Sequence, residues 1–142
     1  MNLYTNHNTT NKLLLLWIAL LTLMVFLIII IGGITRLTDS GLSMTEWRPI
    51  MGIIPPFSYD QWLIVFQKYK LTPEFKIVNS SISLDEFKFI FWWEWFHRFF
   101  ARVIGVIFII PFVYFYFKKK LSTHIIKILF LIFVLGLIQA IV

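Results

Sequence analysis

The chain has 142 residues, of which 59% are hydrophobic and only 14% are charged. This composition is too apolar for an ordinary soluble domain and indicates an integral membrane protein. Because the chain has no cysteine, disulfides, thiolate metal ligands and a nucleophilic thiol are excluded. The net charge of +6 does not indicate nucleic-acid binding, since the basic residues border apolar spans and form no solvated basic face.

The first predicted element is a membrane span preceded by a polar tail. Residues 1–12 are rich in Asn and Thr, which predicts a tail without fixed structure. The uncharged run that follows is long enough to cross a hydrocarbon core of about 30 Å, and no small-x-small cleavage site comes after it. We therefore predict a retained transmembrane helix over residues 13–35. Near its end, Gly32 and Gly33 permit either the close approach of another helix or a loose helix end.

Residues 36–97 form the longest polar region, which predicts an outer loop with short amphipathic helices. At its start, Asp39-Ser40-Gly41 has the composition of a turn, in which Gly41 is able to take a positive φ. The apolar segment Trp47–Pro56 contains prolines that prevent a regular helix. We expect this segment to lie along the membrane surface.

Two capping boxes mark helix starts within this loop. Ser58 with Gln61 precedes a predicted helix over residues 59–70, whose aromatic residues fall on one side. Ser83 with Glu86 precedes a second helix. We expect this second helix to continue without a break into the next membrane span.

Two further spans are predicted over residues 98–117 and 124–142. Pro111 lies inside the first of them and removes one helical hydrogen bond, so a kink is expected there. The connection over residues 118–123 begins with three lysines, and the positive-inside rule therefore places it and the N-terminus in the cytoplasm. Because the last span ends without a polar flank, the sequence predicts a fragment or a split gene product.

The segment Phe89–Arg102, FIFWWEWFHRFFAR, places four ionisable side chains in an aromatic wall. On a helix, Glu94, His97 and Arg98 share one face, and Arg102 lies at its edge. Ionisable groups at membrane depth are costly and indicate a functional site. Two alternatives stay open, namely an interfacial anchor of aromatic and basic side chains and a structural ion pair between Glu94 and Arg98.

A single imidazole, that of His97, is a weak indication of a metal site. Haem is the cofactor that least needs a cluster of ligands, because one helix supplies one axial ligand and another helix supplies the second. His124 belongs to the opposite leaflet and His7 to the tail, so neither can complete the site. Either the second ligand lies outside this sequence or His97 is not a ligand.

Two long motifs resemble the N-terminal part of haem A synthase, in the branch found in alphaproteobacteria and mitochondria. The motifs are GGITRLTDSGLSMTEWRPIMGIIPP at Gly32–Pro56 and SLDEFKFIFWWEWFHRFFARVIG at Ser83–Gly105. The resemblance extends from about Gly32 to Val142. It implies that the three predicted helices belong to an eight-helix protein built from two four-helix bundles. It also implies a multi-pass protein of the bacterial inner membrane with a role in cytochrome oxidase biogenesis.

The resemblance further implies an enzyme that oxidises a methyl group of haem O to the formyl group of haem A. The Glu-x-x-His-Arg motif of that family matches residues 94–98, which implies a catalytic role for Glu94 and axial ligation of haem iron by His97. Arg98 and Arg102 are candidates for binding haem propionates or, alternatively, lipid phosphates. Haem O is then the substrate, and haem b is expected in a C-terminal half, so this chain alone is expected to be inactive. The cysteine pair of some relatives is absent, which excludes a mechanism that uses it.

Two other functions remain open, a haem-binding membrane electron-transfer subunit and a cofactor-free membrane assembly protein. Pure electron transfer has no need of Glu94, and a cofactor-free protein would use His97 only as part of an anchor. The candidate partners are the lipid bilayer, haem O, the farnesyltransferase that makes haem O and a second copy of the chain. Nucleic acid is not expected as a partner.

Overall fold

The structure is a computed structural model that describes the backbone of residues 3–45 and 51–141 and the side chains of residues 12–45 and 52–139. Within these ranges every regular element is helical. The helices are α1 (Leu3–Leu37), α2 (Tyr59–Lys70), α3 (Pro73–Ile77), α4 (Leu84–Phe117) and α5 (Thr123–Ile141), with a short 3-10 turn at Met51–Ile53. The predicted all-helical fold is confirmed.

Two helices in the described part of the chain are long and apolar enough to cross a membrane. They comprise Lys12–Leu37 of α1 and Leu84–Phe117 of α4, while the apolar part of α5, Thr123–Gln139, is shorter. Helix α1 also extends back to Leu3, so most of the segment predicted to lack structure is helical. Once a helix has formed, each added residue costs little free energy, which allows α1 to extend beyond its apolar run.

The chain divides into two units, and the first comprises residues 22–104. Its core joins α2 to the first turns of α4: Trp62 and Phe66 of α2 pack with Phe87 and Phe91 of α4. The rings of Trp62 and Phe91 meet edge to face with centroids 5.0 Å apart, an arrangement favoured by the ring quadrupoles. The predicted aromatic side of α2 is therefore its buried side.

Both predicted capping boxes are present. The Ser58 hydroxyl accepts from the Gln61 N–H, and the Gln61 side chain accepts from the Ser58 N–H. The same reciprocal pair joins Ser83 and Glu86 at the start of α4. Helix α4 then runs without interruption from Leu84 to Phe117, as predicted. Each box satisfies N–H groups that the first turn of a helix leaves without a partner.

Helix α3 is absent from the sequence predictions, which gave no helix between residue 70 and Ser83. Thr72 caps this helix by accepting from the Phe75 N–H, and Pro73 occupies its first turn. Beyond α3, the Asn79 amide donates to the hydroxyl of Tyr69 at 2.8 Å. Tyr69 is fully buried, and burial raises the pKa of its phenol. The hydrogen bond from Asn79 to Tyr69 thus connects the segment after α3 to the aromatic core.

The turn after α1 takes its positive φ at Asp39. The φ of Asp39 is 49°, and no described glycine has a positive φ, so the conformational freedom of Gly41 is not used. The Ser40 N–H bonds to the Thr35 carbonyl and the Asp39 N–H to the Arg36 carbonyl, the pairing of a Schellman cap. Aspartate tolerates the left-handed region because its side chain is short and polar. In the segment predicted to lie along the membrane, residues 47–50 are outside the described part.

The second unit comprises residues 1–21 and 105–142. Its core is built around Trp17 of α1, whose ring lies beside Phe108 and Phe115 of α4. The Trp17 indole N–H donates to the carbonyl of Ile107 at 2.8 Å. That carbonyl is the one that Pro111, four residues later, cannot pair with, because proline has no N–H. The hydrogen bond lost at Pro111 is thus replaced by another helix, and α4 continues through the proline.

Candidate functional site

The carboxylate of Glu94 is buried and held by three donors. Its side chain belongs to a residue only 3% exposed. The Ser43 hydroxyl and the Met44 N–H each donate to Oε2 at 2.7 Å, and the Arg98 guanidinium pairs with Oε1. A buried carboxylate is tolerated only when its oxygens are paired in this way. Glu94 therefore joins α4 to the segment that follows α1.

The segment that reaches Glu94 is a compact turn of serine and threonine residues. Ser40 and Ser43 are both fully buried. The Thr38 hydroxyl donates to the Ile34 carbonyl, and Thr38 and Ser40 are joined through their hydroxyls. The Ser43 N–H donates to the Ser40 carbonyl, so the turn is linked by hydrogen bonds from the last turn of α1 to Ser43. The last group in this series of hydrogen bonds is the Ser43 hydroxyl, which donates to Glu94.

The imidazole of His97 lies against a bare patch of helix α1. A Cβ atom placed on Gly32 would be 3.2 Å from His97 Nε2 and 3.6 Å from its Cδ2, closer than most Cβ contacts in proteins. The same test at Gly33 finds nothing within 4 Å. The close approach that the Gly-Gly pair permits is therefore used at Gly32, where the absence of a side chain leaves room for the ring.

The two arginines have different surroundings. Arg98 forms the predicted i,i+4 ion pair with Glu94, and its side chain is 26% exposed. Arg102 lies beside the 3-10 turn, since a Cβ on Gly52 would be 3.6 Å from Arg102 Nη2. An ion pair is therefore present at Glu94, as one of the open alternatives expected, and it is partly buried, because Glu94 is buried while Arg98 stays in part exposed.

Aromatic rings line α4 beside these polar groups. The ring of Trp95 stacks on Phe99 with centroids 5.0 Å apart and meets Trp92 edge to face. Phe96 and Phe99 remain 50% and 37% exposed. Accessible rings of this kind, on the helix that carries His97, can contact lipid or stack on a planar macrocycle.

The four site residues predicted from the sequence all lie on α4 of the first unit, as their spacing requires. The structure adds the partners on the other chain segment: Gly32, Ser43, Met44 and Gly52. These residues carry no charge, and of the four only Gly32 was singled out in the sequence, as a place of close approach. The sequence signal that all four share is that they lie inside the first long motif, Gly32–Pro56.

The donor set fits one axial position of a haem better than an all-protein metal site. No group of three or more His, Cys, Asp or Glu side chains is found among the described residues. Within the described part, His97 is the residue of the predicted site whose ring nitrogens are of the kind that ligate haem iron. One such nitrogen is what each ligand helix contributes to a six-coordinate haem.

Residues 15–142 match the family described as cytochrome oxidase assembly protein (COX15-CtaA). The chain belongs to this family. Among curated relatives, it is 48% identical to the heme A synthase of Nitrosospira multiformis, over 90% of the chain and 36% of that protein. It is 48% identical to the heme A synthase of Maricaulis maris over 91% of the chain and 38% of that protein.

It is also 52% identical to the heme A synthase COX15 of Saccharomyces cerevisiae, over 85% of the chain and 25% of that protein. The resemblance inferred from the two motifs is thereby confirmed. No solved structure is significantly similar to the chain. Against these three relatives the chain spans between 25% and 38% of the relative's length. As a member of the cytochrome oxidase assembly family, it corresponds to part of each of these longer proteins.

Proposed function

We propose that the chain forms part of a haem A synthase, a membrane oxidoreductase that converts a methyl group of haem O to the formyl group of haem A. One observation carries the proposal: Ser43 of the first motif donates to Glu94 of the second at 2.7 Å. Two motifs that resemble haem A synthase are thus one site in space. The names of the curated relatives support the same activity. The proposal includes the eight-helix architecture, in which the three apolar helices here belong to one four-helix half.

In this proposal the imidazole of His97 would hold the iron of haem O, which is the substrate, and the iron would supply the redox chemistry. Glu94 acts beside it as a fixed carboxylate. Oxidation of the methyl group to a formyl group takes its oxygen from water and releases protons and electrons. The electrons would pass by way of the iron to an electron acceptor, and positive charge develops at the methyl carbon. A carboxylate held in an apolar wall can stabilise that charge and accept a proton. Arg98, already paired with Glu94, and Arg102 are the proposed partners of the haem propionates.

The proposal is tested by supplying haem O. The protein is expressed from its complete gene in cells that make haem O but no haem A, and the extracted haems are separated by chromatography. We expect haem A to appear, and to be absent when His97→Ala is expressed. Bound haem without any haem A would favour the electron-transfer alternative. Purified protein without haem absorbance would favour the cofactor-free assembly alternative.

We also propose an orientation in the bacterial inner membrane, with the N-terminus in the cytoplasm and residues 36–97 outside. The support is the run Lys118–Lys120 in the short connection between α4 and α5, because short basic loops stay inside. Haem O and the farnesyltransferase that makes it are the proposed partners in that membrane.

Topology is tested with single cysteines, since the chain has none of its own. Ser80 and Ser122 are both exposed and lie on opposite sides in this orientation. We expect an impermeant maleimide to label Ser80→Cys in intact cells, and to label Ser122→Cys only after the membrane is opened. The reverse pattern would overturn the orientation.

A further inference from the structure

We propose that Ser43 is a positioning residue, whose hydroxyl holds the carboxylate of Glu94 in place. Neither the motif resemblance nor the names of the relatives assign a role to this serine. The proposal rests on the proposed function only where it predicts an effect on the conversion of haem O to haem A. The contact between Ser43 and Glu94 stands independently of that function.

The geometry distinguishes Ser43 from an ordinary buried serine. Its Oγ lies 2.7 Å from Glu94 Oε2 and 3.4 Å from the carbonyl of Ile90, one turn earlier on α4. At such distances the hydroxyl proton is given to the nearer and charged acceptor, since hydrogen bonds to ionised groups are shorter and stronger. The Met44 N–H donates to the same oxygen. Two consecutive residues of the segment that follows α1 therefore donate hydrogen bonds to the same carboxylate oxygen.

The opposite oxygen, Oε1, is taken by Arg98 from within α4. This division has a consequence for the direction of the carboxylate. With Arg98 alone, Glu94 could rotate toward the guanidinium and follow it. The pair of donors at residues 43 and 44 fixes Oε2 on the other side, so that the plane of the carboxylate is set by both segments. Groups that act on a substrate need this kind of support, because small misplacements cost large factors in rate.

The chain offers a matched control. Ser40 is as buried as Ser43 and lies in the same turn, but its hydroxyl bonds to Thr38 and not to Glu94. Ser40→Ala removes a buried hydroxyl from the turn without touching the carboxylate. Any effect specific to Ser43 is therefore separable from general loosening of the loop.

The test uses dicyclohexylcarbodiimide, an apolar reagent that adds to uncharged carboxyl groups in membranes and leaves a stable N-acylurea. The protein in its native membranes is treated with the reagent, and the peptide containing Glu94 is quantified by mass spectrometry. Loss of a donor from a buried carboxylate favours its uncharged form. We expect Ser43→Ala to label about tenfold faster than the unaltered protein, the factor for one hydrogen bond to a charged group. Ser40→Ala should label at the unaltered rate, and Ser43→Thr, which keeps the hydroxyl, should return the rate toward it.

Equal labelling of Ser43→Ala and the unaltered protein would overturn the proposal, and so would equal acceleration by Ser40→Ala. If Ser43→Ala does not accumulate, Ser43→Cys keeps the volume with a weaker donor and should label faster than the unaltered protein. Labelling requires neither haem nor turnover, so it stands even if no haem A is made. Where haem A is made, Ser43→Ala should retain bound haem O and lower the ratio of haem A to haem O several-fold. An unchanged ratio would overturn the positioning role.

Discussion

Glu94→Gln is expected to leave haem O bound and to lower its conversion to haem A by about 10²–10⁴-fold, the usual contribution of a general acid–base group. Glutamine keeps the volume, and its carbonyl can still accept from Ser43 and Met44. It loses the charge and the capacity to take up a proton. Bound haem and haem products are measured separately, by the absorption spectrum of the purified protein and by chromatography of the extracted haems.

The competing explanation is that Glu94 only stabilises the fold through its ion pair with Arg98. The structure strengthens this explanation, because the Glu94 side of the pair is buried. Glu94 is buried and Arg98 is 26% exposed, so their ion pair is partly buried, and breaking it is expected to cost no more than breaking a fully buried pair does, about 3–5 kcal/mol. If Glu94 were purely structural, Glu94→Gln would therefore reduce the amount of folded protein, the bound haem and the conversion of haem O together. Asp85→Asn is the matched control, since it removes a carboxylate of the same helix whose side chain is 90% exposed and paired with Lys88. Normal haem A from Glu94→Gln, or loss of haem O binding in step with conversion, would contradict the catalytic assignment.

Gly32→Ala is expected to lower haem occupancy at His97. The added Cβ would lie 3.2 Å from His97 Nε2, so the ring must move. Overpacking of this kind commonly costs about 1–3 kcal/mol. If this free-energy cost applies only to the haem-bound form of the protein, haem affinity decreases about 5- to 150-fold. Titration of the purified protein with haem, followed through the bands of the axially ligated form, measures the effect without requiring turnover.

The control for this variant is the neighbouring glycine. Gly33 has no atom within 4 Å of its Cβ position, and alanine is the better helix former by about 1 kcal/mol. Gly33→Ala should therefore bind haem normally and be at least as stable as the unaltered protein. Identical haem titrations for Gly32→Ala and Gly33→Ala would show that His97 does not depend on the bare patch at Gly32.

Most of the helical architecture could be predicted because its signals are local. The apolar run of α1 and the boxes at Ser58 and Ser83 depend on residues at most a few positions apart. The ion pair of Glu94 with Arg98 is of the same kind, since an i,i+4 spacing places two side chains on one helix face. Helix α3 and the left-handed Asp39 were missed because turn composition alone does not decide where a short helix restarts or which residue takes a positive φ.

The sequence by itself determined the helical spans, the face that carries Glu94 and His97, and the family to which the chain belongs. Only the tertiary structure decided what those side chains meet. Ser43 is 51 positions from Glu94, and the Trp17 indole that pairs with Ile107 is 90 positions away. Pairings of this range follow from how separate segments of the chain pack together, not from any periodicity within one helix. Small neutral residues such as Gly32 and Ser43 acquire their roles there, because a bare helix surface or a single hydroxyl matters only once a partner lies against it.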